Sequence, residues 1–343
     1  MEFVSKNKQK IRKSNIELLR IICMLMVLFV HANYYSLGHV SVMDIQASPL
    51  PSFAKALAEQ ICIIAVNVFV FISGWFGIRP SVKGACALMF QVIYYHLLIT
   101  GFAVCCGKNI VFASFIQPFR FGIPYWFVVS YFVMYVFTPV MNTFVEISSS
   151  KSLFAVILSF YILQSTTGFC AHYAGFNSGY SAISFLGLYL LARYIRLHSS
   201  KIIHLSAISS LLIYLLFTFI PVLLLFITGK DIDTTSYANP FVVAASLFFF
   251  LFFNRLHFSS RYINYIACSV FSVYLIHQHP MVSDLYKETM CQVYNTIGGW
   301  IYVLFVIISS LLFVLCCVII DKFRICMWNY IVNKCLSIFP KYL

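Results

Sequence analysis

Long apolar runs, separated by short polar or basic segments, occupy most of the chain. Runs long enough to cross a bilayer lie at about 16–36, 58–78, 84–106, 124–145, 151–167, 181–197, 202–228, 238–257, 263–279 and 297–320. A helix rises about 1.5 Å per residue, so roughly 20 residues span a hydrocarbon core of about 30 Å. The pattern predicts an all-α polytopic membrane protein with about ten transmembrane helices and both termini cytoplasmic. It reads as one membrane domain over 1–343, with basic cytoplasmic ends at 1–15 and 321–343. The runs at 151–167 and 263–279 are the weakest, being short and broken by polar residues. The basic N-terminus followed by an apolar run is similar to a secretory signal. Polar and aromatic residues follow instead of a small-residue cleavage site, so the run reads as a retained first helix.

The first run carries an embedded Arg20 and His31 in NIELLRIICMLMVLFVHANYY. His31 follows Arg20 by eleven positions, which at 100° per residue is three turns plus about 20°. Both side chains therefore share one helix face, about 16 Å apart along the axis. A charge at the centre of a membrane helix costs about 2.5–3.5 kcal/mol on insertion scales and usually faces a cavity or a partner. Glu17, three positions before Arg20, offers such a partner.

Composition agrees with the pattern. Of 343 residues 62% are hydrophobic and 10% charged, against about 25% charged in soluble domains. The net charge of +13 would suggest nucleic acid in a soluble protein; its distribution excludes that here. With the N-terminus inside, the inner segments hold Lys6, Lys8, Lys10, Arg12, Lys13, Arg79, Lys83, Lys151, Arg193, Arg196, Lys201, Arg255, Arg261, Lys322, Arg324, Lys334 and Lys341. The outer loops hold only Lys55, Lys108, Arg120, Lys230 and Lys287. This split obeys the positive-inside rule and makes the basic excess a topology signal, with anionic membrane lipids as partners and no nucleic acid.

Motifs of soluble catalysis are absent. There is no C-x-x-C, no Cys/His spacing of a zinc site, no phosphate-binding glycine loop and no G-x-S-x-G; the metal expectation is none. Polar residues do interrupt the apolar runs. Gln91 and His96 lie within the third, Asn67 and Ser73 within the second, and Gly74 permits close backbone approach. Tyr125 and Trp126 start the fourth, where an aromatic belt also accounts for them. His277 and His279 sit in VYLIHQHP, a place that also suits solvated interfacial histidines.

Together these residues resemble the acyltransferase 3 family of integral-membrane acyltransferases. The most specific element is Asn15 to Arg20, N-I-E-L-L-R, then ten residues and His31. NVFVFISGWFGIRP (Asn67 to Pro80), PYWFVVSYFVMYVFTPVMN (Pro124 to Asn142) and SVYLIHQHP (Ser272 to Pro280) resemble further family elements in the same order. Glu17 stands where many members have Asp, which keeps the charge. The extracytoplasmic esterase-like domain of some members has no counterpart, so the membrane domain alone is expected.

The resemblance implies a bacterial cytoplasmic-membrane enzyme. It would move an acyl group from acyl-CoA, most often acetyl-CoA, to a hydroxyl of a surface polysaccharide or lipid-linked glycan. Acyl-CoA is then a co-substrate, and no tightly bound cofactor is expected. Acyl transfer to an alcohol needs a base and an oxyanion stabiliser; His31 suits the first and Arg20 the second, or the CoA phosphates. Glu17, Arg79, Arg193 and Arg196 are further donor-side candidates, although topology alone also places arginines there. Asn67, Ser73, Tyr125, Trp126 and His277 are acceptor-side candidates. A transporter or flippase of a lipid-linked glycan is the competing reading; it would share the helices and a polar cavity without needing a proton-accepting histidine.

Overall fold

Apolar runs without nearby water must satisfy their backbone internally, and helices do so within one segment. The computed structural model describes residues 12–110, 116, 125–172, 175–229 and 233–338. Lys6, Lys8, Lys10, Arg120, Pro124, Lys230 and Lys341 lie outside the described residues. Within them, every expected run falls on a helix or a helix pair, and no strand occurs.

The helices are α1 (Ser14–Val30), continued by a π-helical turn (His31–Tyr35), α2 (Val42–Ala47), α3 (Pro49–Cys62), α4 (Ala65–Phe76), α5 (Val82–Cys105), α6 (Trp126–Ile147) and α7 (Ser150–Leu163). After a second π segment (Gln164–Cys170) come α8 (Ala182–His198), α9 (Ser200–Ile203), α10 (Ala207–Thr228) and α11 (Pro240–Arg255). The chain ends with α12 (Arg261–Ala267), α13 (Val270–His277), α14 (Pro280–Ile297) and α15 (Gly299–Ile338).

Seven helical stretches among the described residues are long and apolar enough to cross a membrane: Ser14–Tyr35, Pro49–Phe76, Val82–Cys105, Trp126–Ile147, Ser150–Cys170, Ala207–Thr228 and Gly299–Lys334. The other three expected spans are shorter or broken. The run at 181–197 is α8, with 17 residues, and that at 238–257 is α11, with 16. The run at 263–279 divides into α12 and α13 at Cys268 and Ser269. There the Ser272 hydroxyl donates to the Ser269 carbonyl (2.6 Å), and Lys322 Nζ reaches the Ser269 hydroxyl (3.1 Å).

Helix starts follow local chemistry. Ser81, Ser149, Ser181, Ser206 and Ser260 cap α5, α7, α8, α10 and α12 by accepting a first-turn N–H. Pro49, Pro240 and Pro280 occupy the first positions of α3, α11 and α14. Pro139 inside α6 frees the Tyr135 carbonyl, and the Thr138 hydroxyl occupies it at 2.6 Å.

The core gathers α1, α4, α8, α11 and α13. Gly74 sets the α4–α8 spacing: a Cβ there would lie 2.7 Å from the Tyr189 carbonyl oxygen and 2.8 Å from the Ala192 Cβ. At the start of α1, Asn15 Nδ2 donates to the Phe253 carbonyl (3.0 Å), and the Ser260 N–H donates to the Ser14 hydroxyl (2.9 Å). These bonds fix the rotation of α1, and so the direction in which its polar face points. Outward-facing side chains such as Phe102, Ile227 and Trp300 are exposed and apolar, as a lipid-facing surface requires.

Candidate active site

The polar face of α1 opens into a cavity of about 370 Å³. Arg12 and Arg20 line one end of it, and His31, Tyr35 and Gln278 the other; Ser73 and Trp126 also border it. The Arg20–His31 stripe read from helical spacing thus faces a single space.

At the first end the chemistry is local to one helix. Arg20 Nη1 donates to Glu17 Oε1 at 2.8 Å, and Arg12 Nη1 lies 3.7 Å from Glu17 Oε2. Glu17 is enclosed, with 7% of its side chain exposed, whereas Arg20 keeps 37%. Pairing with Glu17 and facing the cavity are therefore compatible for Arg20. Two guanidinium groups against one carboxylate leave a net positive mouth. Deeper in, the Ser73 hydroxyl bonds the Tyr131 hydroxyl (3.1 Å).

At the second end α1 widens into its π-helical turn, a device frequent at functional sites. Side chains take up carbonyls in and just before this turn, two of them from α14 and α15. Tyr302 donates to the Ala32 carbonyl (2.7 Å), Tyr286 to that of Leu28 (3.1 Å), and the Ser36 hydroxyl to that of His31 (2.8 Å). Asn33 Nδ2 donates to the buried Glu59 carboxylate (3.0 Å), tying the turn to α3.

Held this way, His31 Nδ1 lies 2.6 Å from His277 Nε2, with the rings stacked at 4.8 Å. One nitrogen donates and the other accepts. With the proton on His31 Nδ1, its Nε2 is left as an acceptor; Gln278 Nε2 lies 3.1 Å from His31 Nδ1 and 3.4 Å from its Nε2. The edge of Tyr35 meets the His31 ring at 4.9 Å. Behind this pair, His277 packs against Tyr286 (4.4 Å), and the His279 ring meets His96 (5.0 Å). His277 and His279 are each only 2% exposed, so the solvated interfacial placement is corrected. The break after α13 folds this segment back against α1 and α5, where protein covers both rings.

The remaining sequence candidates are dispersed. Trp126 and Ser73 border the cavity, whereas Tyr125 is buried beside it and donates to the Leu275 carbonyl (3.3 Å). Asn67 is fully buried and holds the Tyr237 carbonyl (3.1 Å). Arg193 and Arg196 gather at the C-terminal end of α4, where the helix dipole favours cations. Arg196 donates to the Trp75 carbonyl, and its guanidinium and Lys13 approach the Phe76 ring at 5.8 and 5.5 Å. Gly77 at φ +72° leaves room for Arg193, whose Nη1 lies 3.1 Å from the absent Cβ. Arg79 is exposed nearby. None of these three arginines borders the cavity.

Sequence reasoning missed Gln278, Glu59, Tyr35, Tyr180 and Tyr237. Gln278 stood between two noted histidines, and Glu59 was a lone acid in an apolar run. The three tyrosines carry no local signal. Burial pushes the phenols of Tyr180 and Tyr237 well above their ordinary range, so both stay neutral hydrogen-bonding groups.

No curated protein and no solved structure matches the chain. Residues 13–322, nearly the whole length, match the family's acyltransferase domain, and the chain belongs to the acyltransferase 3 family.

Proposed function

We propose that this protein is an O-acyltransferase of the bacterial cytoplasmic membrane. It moves an acyl group, acetyl by family habit, from cytoplasmic acyl-CoA to a hydroxyl of a surface polysaccharide or lipid-linked sugar. The observation that carries this reading is the single cavity bordered by both Arg20 and His31. With the N-terminus and the Arg20 end cytoplasmic, as the basic segments favour, CoA phosphates meet the positive mouth. The roughly 16 Å axial gap gives the extended pantetheine arm a path toward His31.

His31 Nε2 then takes the acceptor hydroxyl proton as the oxygen attacks the thioester carbonyl. The carbon–sulfur bond breaks, the thiolate leaves, and the proton taken from the acceptor hydroxyl passes from His31 Nε2 to the thiolate. The His31 imidazolium formed during attack keeps its Nδ1–H on His277 Nε2. His277 is a positioning residue in this scheme: it sets the ring and the tautomer and touches no reacting atom.

The test is thiol release from acetyl-, succinyl- and longer acyl-CoA by purified, lipid-reconstituted protein supplied with surface glycans. Wild type should release CoA. His31→Ala should lose about 10²- to 10⁴-fold in turnover, the usual worth of a general base. Arg20→Ala should raise KM for acyl-CoA more than it lowers kcat. A wild type silent with every donor and acceptor would move the transporter reading ahead. Full turnover by both variants would retain the class and displace the site.

A further inference from the structure

Aromatic rings from four separate segments converge at the His31 end of the cavity. The hydroxyls of Tyr35 and Tyr180 meet at 3.2 Å, linking the π-helical turn to the loop before α8. The Tyr180 ring lies 4.5 Å from Tyr237 and 4.7 Å from Trp126, and the Trp126 and Tyr237 planes are within 25° at 6.0 Å. Tyr35, Trp126 and Tyr237 border the cavity, and Tyr35 touches the His31 ring.

The loops that carry these rings are braced. The Ser178 carbonyl accepts from the Ala238 N–H (3.3 Å) and from the Ser236 hydroxyl (3.1 Å), and Asn67 holds the Tyr237 carbonyl. Gly179, at φ +89°, passes so close that a Cβ would sit 2.6 Å from the Ala238 nitrogen. A membrane aromatic belt would turn its rings toward lipid. Here the Trp126, Tyr180 and Tyr237 rings face one another with Tyr237 6% exposed, and Tyr35, 44% exposed, forms the open edge of the group. Flat apolar faces with hydroxyl edges match a pyranose, which has C–H faces and O–H edges.

We propose that Tyr35, Trp126, Tyr180 and Tyr237 form a saccharide subsite that holds the acceptor sugar ring against His31. This rests on the acyltransferase reading for its place in catalysis. It adds the residues that select the acceptor, and its binding test stands apart from turnover.

The experiment titrates reconstituted protein with N-acetylchitotetraose, maltotetraose and a rhamnose-containing tetrasaccharide, following tryptophan fluorescence, with Trp126→Phe as the control. At least one saccharide should quench the wild type and leave Trp126→Phe unchanged. Tyr237→Ala should weaken that saccharide about tenfold, while acyl-CoA affinity stays within about twofold. Tyr180→Phe keeps the ring and loses the bridging hydroxyl; it should show a smaller loss, and it covers the case in which Tyr237→Ala fails to fold. No quenching by any of the three saccharides, or an equal loss of acyl-CoA and saccharide affinity, would overturn the subsite. Saccharide quenching without CoA release would instead sink the acyl-transfer reading and leave the subsite standing.

Discussion

The two ends of the cavity are built on different principles. The Arg20 end is assembled within one short stretch, Arg12, Glu17 and Arg20, with contacts one helical turn apart or a little more. The His31 end is assembled from α1, α3, α13, α14 and α15, and its central contact joins residues 246 positions apart. Charge can be balanced by a neighbour on the same helix, because i,i+3 side chains meet without help. An imidazole must be aimed and held in one tautomer, which takes partners that only tertiary packing delivers. Robustness differs accordingly. A pair with one partner more than a third exposed is screened and contributes about 0–1 kcal/mol. A buried hydrogen bond that loses one partner costs about 1–3 kcal/mol.

The sharpest way to break this contrast is at His277. His277→Ala removes the acceptor from His31 Nδ1 and should cut acyl transfer about 10- to 100-fold, the rate equivalent of that buried loss. It should also shift the acidic limb of the pH–rate profile, whereas a purely structural role would lower the plateau and leave the limb in place. His277→Asn, which keeps an acceptor, should recover part of the rate.

At the other end the effect should be smaller and of another kind. Arg20→Lys keeps the charge and loses the forked donor. KM for acyl-CoA should rise about 3- to 10-fold, more steeply at high salt, with kcat nearly unchanged. A kcat loss matching that of His277→Ala would erase the distinction between the ends.

A segment outside both ends sets the floor. Ser41 and Asp44 form a capping box at α2, and the Ser41 N–H and hydroxyl hold the exposed Asp44 carboxyl below its ordinary value of 3.8. A lowered folded pKa stabilises above the unfolded value and loses that contribution as pH falls through the folded one. Amide protection over 42–47 should therefore decline only below about pH 4. Ser41→Ala should cost about 1 kcal/mol locally, with acyl transfer unaffected.

What could be read along the chain was whatever depends on neighbours in sequence. The apolar runs marked most of the helices, though not α2 or α14, because a backbone in lipid has few other ways to satisfy its polar groups. The spacing of Arg20 and His31 set them on one face, because helix rotation per residue is constant. Glu17 announced the pairing of Arg20, and the order of four motifs announced the family.

Tertiary structure decided what depends on distance in sequence. It split the run at 263–279, widened α1 at His31, and turned His277 from a surface candidate into the partner of His31. It sent Arg196 to the end of α4 rather than into the cavity, and it drew Tyr35, Tyr180 and Tyr237 into one collar. Those outcomes follow from which faces meet when helices pack, and from which buried polar groups must then find partners. Hydropathy along a chain records neither, since a tyrosine that lines a cavity and one that faces lipid are written with the same letter.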